Sequence, residues 1–135
     1  MATTDPEPLA EFIRQQMALQ AAQKREPRYD LEAYAFVCEA VDHTYTLLGE
    51  RRDLSGGELL DGMCDLALQR FGFLAPLVLE HWGVTRTDDL GRIVFALVEV
   101  GLLGKSPEDS MDDFREVFPL RRELEERYRI DLDEA

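Results

Sequence analysis

The sequence predicts a single all-α domain, a compact bundle of about six helices, and three observations lead to this fold class. Apolar residues recur three or four positions apart along most of the chain, which is the spacing of a helix that buries one face. No pair of alternating apolar and polar stretches flanks an Asn-Gly or Asp-Gly turn, the usual mark of a β-hairpin. The chain has 135 residues, 45% of them hydrophobic and 32% charged. This length and composition suit one core that needs neither a disulfide nor a metal to fold.

Two helices are predicted in the first part of the chain. We expect residues 1–8, which include two prolines, to be a disordered tail and residues 9–26 to form an N-terminal helix. Pro27 ends that helix, because proline disfavours α-helical geometry in the residue before it. Asp30 is expected to cap the second helix, which ends at Gly49. This second helix has two apolar faces, so neighbouring elements should pack against it on two sides.

Three further helices are predicted in the middle of the chain. Ser55 and Glu58 have the spacing of a capping box at the start of the third helix, which ends at Gly72. A short fourth helix follows and ends at Gly83. Thr87 is expected to cap the fifth helix, which is apolar nearly all round and should therefore lie at the centre of the core.

The last part of the chain is predicted to be richer in charge. Residues 106–109 are expected to begin a short acidic helix or turn, and Pro119 is expected to interrupt the chain. Residues 29–118 then form the helical core domain, and residues 119–135 form a charged C-terminal helix and tail.

The chain is strongly acidic, and the charge is unevenly distributed. Its formal net charge is −13, from 28 acidic and 15 basic residues. Residues 1–28 contain four of each, so the whole net charge lies in residues 29–135. Such a surface repels phosphate backbones and anionic lipids. We therefore expect no nucleic-acid or membrane partner; the acidity serves either solubility alone or the docking of a basic protein.

Three features indicate a cytoplasmic protein. Cys38 and Cys64 lie within helical patterns rather than in a regular cysteine framework, so we expect buried, reduced thiols. Residues 1–8 lack the basic start and apolar core of a signal peptide. No uncharged apolar run approaches the roughly 20 residues that a membrane span requires.

The search for reactive groups gives no catalytic, cofactor-binding or metal-ligating residue. No glycine-rich phosphate loop is present, and Ser55 is better explained as a helix cap than as a nucleophile. Glu39 and His43 are one helical turn apart, but no second pair completes a metal-binding motif. Asp61 and Asp65 would be adjacent, solvated carboxylates on one helix. We expect a protein that is not an enzyme and has no cofactor; a small enzyme of unknown reaction stays an alternative.

Residues 58–104 are similar to the helix-turn-helix core of winged-helix domains. The order is helix, tight turn, shorter helix, connection and long helix, and it ends in the Val-Glu-Val-Gly-Leu-Leu-Gly segment at residues 98–104. In winged helices, a similar glycine turn leads from the third helix into the wing. The resemblance implies a helix-turn-helix-like centre, either in a DNA-binding regulator or in a degenerate winged helix that makes only protein contacts.

The charges at this centre argue against DNA binding. Asp88 and Asp89 stand at the front of the presumed recognition helix, where only Arg86 and Arg92 could offset them. Recognition helices normally present hydrogen-bond donors and basic side chains there. The expected wing, residues 104–113, has one lysine and four acidic residues. For this reason a DNA-binding transcriptional regulator is the alternative function and not the leading one.

A longer resemblance covers residues 29–118. It depends on eight segments: Tyr29-Asp-Leu-Glu-Ala-Tyr34-Ala-Phe36-Val37, Ser55-Gly-Gly-Glu-Leu59-Leu60, Ala67, Phe71-Gly72, Val78-Leu-Glu-His-Trp82-Gly83, Thr87-Asp-Asp-Leu-Gly91-Arg-Ile-Val-Phe95, Leu97-Val-Glu-Val-Gly101-Leu-Leu, and Asp109 with Asp113-Phe114. On these residues the chain is similar to a small bacterial family of unknown function, named for its restriction to Planctomycetes and Verrucomicrobia. Leu90 departs from the aromatic residue usual in the family. The resemblance implies no activity, cofactor or catalytic residue.

These observations favour a non-enzymatic protein-interaction or adaptor module. Phe12, Ile13 and Met17 have no evident core to join and could form a homodimer contact through the N-terminal helix. Trp82 fits either a core position or a partly exposed anchor. The candidate partner surface comprises Trp82, Asp88, Asp89, Arg92, Phe12, Ile13 and Met17. The identity of the partner does not follow from the sequence.

Overall fold

The computed structural model describes the backbone of residues 6–134 and the side chains of residues 7–130. Over this range the chain is all-α, without a strand, as predicted. The six α-helices are α1 (Pro6–Arg25), α2 (Leu31–Leu48), α3 (Gly56–Phe71), α4 (Ala75–His81), α5 (Thr87–Glu99) and α6 (Leu120–Glu134). Two short 3-10 helices, Gly72–Leu74 and Met111–Phe114, lie between them.

The first helix begins earlier than expected. Residues 6–8 of the expected tail belong to α1, and residues 1–5 lie outside the described residues. Pro6 and Pro8 are compatible with this start because the first amides of a helix have no helical acceptor. The expected tail is therefore wrong at residues 6–8.

The predicted helix ends in the middle of the chain correspond to real caps. Ser55 Oγ accepts from the Glu58 amide at 3.1 Å, and Glu58 Oε1 accepts from the Ser55 amide at 2.9 Å, which completes the capping box of α3. Gly49 ends α2 in the left-handed conformation, with φ of 75°. Asp30 takes the N-cap position of α2 through its extended backbone alone.

The core lies where α5 meets α1, α2 and α3, and α4 and α6 pack against α3 and against each other. The largest fully buried side chains come mainly from α2, α3 and α5, with one from α6: Tyr34, Val37, Leu60, Met63, Leu90, Ile93, Leu97 and Leu124. Gly91 of α5 brings the connection after α5 close to the core. A Cβ at this position would stand about 2.5 Å from the Cβ of Phe114, so only glycine lets Phe114 pack there.

Two segments bear on the sequence expectations. The expected wing, residues 104–113, contains turns and the beginning of the second 3-10 helix, with no strand among these described residues. The stretch Gly56–His81 is long and apolar enough to cross a membrane by length and composition. Half of its most apolar window is buried inside the fold, as in the core helix of a globular protein, so this is weak evidence for a span.

Candidate protein-interaction surface

Trp82 is part of the core. Its side chain is 6% exposed and lies between two other aromatic rings. The ring centroids of Phe36 and Phe71 are 5.5 Å and 5.7 Å away, and Phe71 meets the indole edge to face. Such aromatic contacts add stabilisation beyond the buried area. Trp82 is thus not available as an anchor for a partner, which corrects its place in the candidate surface.

Asp89 is a buried junction between the start of α2 and the start of α5. One carboxylate oxygen accepts from the Tyr29 hydroxyl at 2.6 Å and from the Arg92 guanidinium at 2.8 Å. The other oxygen accepts from the amides of Thr85 at 2.9 Å and Arg86 at 3.0 Å. These bonds satisfy donors ahead of the first turn of α5. Burial, with the bond to Asp89, raises the pKa of Tyr29 to about 12, so its hydroxyl stays protonated and donates.

Thr87 and Asp88 hold a distant loop against α5. The Thr87 hydroxyl donates to the Phe114 carbonyl at 2.7 Å and accepts from the Val117 amide at 3.1 Å. Asp88 accepts from the Glu116 amide at 3.0 Å, and this bond lowers the pKa of Asp88. The expectation that Thr87 caps α5 is wrong, because its hydroxyl serves the loop and the Asp89 carboxylate binds the amides ahead of the helix.

The four candidates around α5 therefore form no partner surface. Trp82, Asp88 and Asp89 are buried, and Arg92 is partly exposed and bonded to Asp89. Their bonds connect elements that are far apart in the sequence. Solvated carboxylates at the start of α5 would leave these donors unsatisfied.

Large apolar side chains are exposed along the first half of α1. The exposed fractions are 60% for Leu9, 57% for Phe12, 48% for Ile13 and 65% for Met17. The three- and four-residue spacings place the four side chains on one side of the helix. We call Leu9, Phe12, Ile13 and Met17 the α1 apolar face. The sequence prediction included all of them except Leu9, which its four-residue spacing from Ile13 could have added.

The second half of the same helix is docked. Leu19 and Ala22 are buried, and α1 packs against α2 and α5. Between residues 7 and 17, by contrast, no side chain is fully buried. The α1 apolar face thus lies on a helical segment that extends from the body of the protein.

The charge of α1 also differs from that of the rest of the protein. It contains two acidic and three basic residues, and Glu11 and Arg14 form an exposed ion pair at 2.8 Å. Each of the other five α-helices has more acidic than basic residues. The α1 apolar face therefore lies on the one described α-helix that does not have more acidic than basic residues.

A small apolar cavity of about 120 Å³ opens between α2, α5 and the loop after α5. Polar groups at its mouth are engaged locally: the Asp109 carboxylate accepts from the Ser106 amide at 2.8 Å, and Lys105 donates to the carbonyls of Ser106 and Asp109 at 3.4 Å. The walls are mainly apolar and include Val41, Leu54, Leu59, Val94, Phe95, Val98, Leu103 and Phe114.

The remaining reactive side chains lie at helix contacts. His43 Nε2 is 2.6 Å from Asp65 Oδ2, and Glu39 forms an ion pair with Arg70. No group of three or more His, Cys, Asp or Glu residues within the described chain is placed to hold a metal ion. Burial raises the pKa of Cys38 to about 11 and that of Cys64 to about 12, which disfavours the nucleophilic thiolate.

Comparison of the chain with protein-family models, curated proteins and solved structures gives no match. The described residues form an all-α protein in which the α1 apolar face is exposed, as are a few large apolar side chains elsewhere, among them Leu47, Phe73 and Leu77. The family resemblance over residues 29–118 stays a prediction from the sequence.

Proposed function

We propose that this protein is a non-enzymatic protein-interaction module that binds its partner through the α1 apolar face. One observation carries the proposal: four large apolar side chains are about half or more exposed on a helical segment whose continuation is docked in the core. Soluble monomers rarely expose contiguous apolar patches larger than a few hundred Å², and the largest patch on a monomer is often functional.

The free energy available from covering this face supports a real but modest contact. Complete burial of a large apolar side chain is worth about 1.5–3 kcal/mol. Since about half of each side chain remains to be buried, the face offers roughly 3–6 kcal/mol before the entropic cost of association. Because association costs about 4 kcal/mol or more, apolar surface on the partner must add to this gain, and the resulting contact should be weak and reversible.

The charge distribution supports a protein as the partner. A net charge of −13 repels nucleic acids and anionic membranes at long range. The segment that carries the α1 apolar face has only two acidic residues and one basic residue, so it adds little to this repulsion and can approach another protein surface. Apolar contact would then supply the affinity.

Site-specific photo-crosslinking in cells that make the protein tests this proposal. A photoreactive phenylalanine replaces Met17 in one variant and Gln15, on the opposite side of α1, in the control. We expect a discrete protein adduct from position 17 that is lost when Leu9→Ser and Phe12→Ser are added. Equal adducts from positions 15 and 17, or no protein adduct from position 17, would refute the proposal.

A further inference from the structure

We infer that the partner of the α1 apolar face is a second copy of this chain, packed as an antiparallel helix pair centred on Ile13. This inference rests on the function proposed above and names the partner. It follows from the spacing of the face, from the position of the charge and from the area that two copies would bury.

Three of the four residues of the face are symmetric about Ile13, and Phe12 lies next to Ile13 outside this symmetry. Leu9 and Met17 lie four residues before and after it, about 6 Å in each direction along the helix. A two-fold axis at Ile13 therefore places Leu9 of each copy opposite Met17 of the other, and Ile13 opposite its own counterpart. Isologous contacts of this kind are the commonest in homodimers. The flexible Met17 side chain can adapt its shape to Leu9.

The net charge selects the antiparallel orientation. The rest of the protein, which is acidic and which we call the body, contacts α1 near Leu19 and Ala22. These residues are six and nine positions beyond Ile13. In an antiparallel pair the two docked halves lie at opposite ends, so these contact points are roughly 18–27 Å apart along the axis. In a parallel pair they would lie side by side, with helix axes about 8–10 Å apart. Two bodies of high negative charge repel less in the first arrangement.

The exposed area predicts a weak dimer. Four side chains that are about half exposed offer roughly 100 Å² each, or about 800 Å² over both copies. Stable interfaces bury about 1,600 Å², and those below about 1,200 Å² are weak or transient. Salt should strengthen this dimer because it screens the repulsion between the acidic bodies. Binding of a basic partner would respond in the opposite direction.

Sedimentation velocity on the full chain tests the inference, at about 10–500 µM protein and at low and high sodium chloride. We expect the average mass to rise towards twice the monomer mass with concentration, and to do so at lower concentration in high salt. The Ile13→Asp variant should remain monomeric, whereas Gln15→Asp, which adds the same charge on the opposite side of α1, should still dimerise. Circular dichroism verifies that both variants keep their helix content.

Disulfide crosslinking tests the orientation. A mixture of the Leu9→Cys and Met17→Cys variants should form a disulfide between positions 9 and 17, identified by mass spectrometry of the linked peptides. Leu9→Cys alone should crosslink poorly to itself. Efficient self-crosslinking at position 9 without the mixed product would overturn the antiparallel arrangement.

The outcomes separate this inference from the proposed function. A chain that stays monomeric at every concentration and salt, yet forms adducts with another protein from position 17 in cells, refutes the dimer and leaves the interaction module intact. A monomeric chain without any position-17 adduct refutes both. A dimer that Ile13→Asp and Gln15→Asp weaken equally overturns the assignment of the contact to the α1 apolar face.

Discussion

The start of α5 and the first half of α1 differ in whether their side chains make contacts within the chain or are exposed to solvent. At the start of α5, Asp89 accepts five hydrogen bonds and Thr87 makes two, all within the chain. Along the first half of α1, the large apolar side chains face solvent. Side chains that are already bonded or buried within the fold are not available to a partner, whereas exposed apolar side chains are. Changes at α5 should therefore alter stability, and changes at α1 should alter association.

The largest expected effect is on the buried aromatic cluster of Phe36, Phe71 and Trp82. Trp82→Ala removes a buried indole from between Phe36 and Phe71 and should lower the free energy of unfolding by about 3–5 kcal/mol. Urea denaturation followed by circular dichroism measures it. The control is Phe73→Ala, which truncates an aromatic side chain that is 68% exposed and should have a much smaller effect. Similar losses in both variants would contradict the core position of Trp82.

The next effect concerns the buried carboxylate junction. Asp89→Ala leaves the Tyr29 hydroxyl, the Arg92 guanidinium and two amides without their acceptor, and should lower the free energy of unfolding by about 2–4 kcal/mol. The control Asp112→Ala removes an exposed carboxylate from an ion pair with Arg115 and should change it by less than about 1 kcal/mol. Urea midpoints distinguish the two. A stable Asp89→Ala variant would mean that the junction does not hold the start of α5.

A smaller effect depends on pH. Bonds from Arg52 and from the Ser55 amide lower the pKa of Glu58 from its ordinary 4.5 to about 2. Because the folded pKa is depressed, the stabilisation is fully present above pH 4.5 and is lost as the pH falls towards 2. Wild type should therefore exceed Glu58→Gln in urea midpoint at pH 6, and the difference should shrink by pH 2.5. A difference that stays constant with pH would exclude this role of the carboxylate.

The smallest effect on stability is expected on the α1 apolar face. Phe12→Ser should change the free energy of unfolding of the monomer by less than about 0.5 kcal/mol, since the ring is already more than half exposed. The measurement is urea denaturation in dilute protein, below the concentration at which copies associate. A loss comparable to that of Trp82→Ala would place Phe12 in the core and remove the contrast between the two regions.

The helical fold follows from local sequence signals. Three- and four-residue spacing indicated the helices, and Ser55 with Glu58, Gly49 and Gly72 marked ends that the structure contains. These signals depend on neighbours within one helical turn, so they are visible in the sequence. The close approach of Gly91 and Phe114, 23 positions apart, depends on tertiary packing and left no such signal.

The candidate site was only partly predictable for the same reason. Asp89 resembled a solvated residue at a helix start, because its partner Tyr29 is 60 positions away. Asp88 likewise bonds to an amide 28 positions further along. The spacing of Phe12, Ile13 and Met17 indicated an apolar stripe, and its exposure depends on tertiary packing, which the stripe itself does not encode.

The most direct test of the account compares photo-crosslinking from the two sides of α1 in cells. The account predicts a discrete protein adduct when the photoreactive group replaces Met17, and background labelling when it replaces Gln15. Labelling that is the same from both positions would contradict the claim that the exposed side of α1 is where this protein meets its partner.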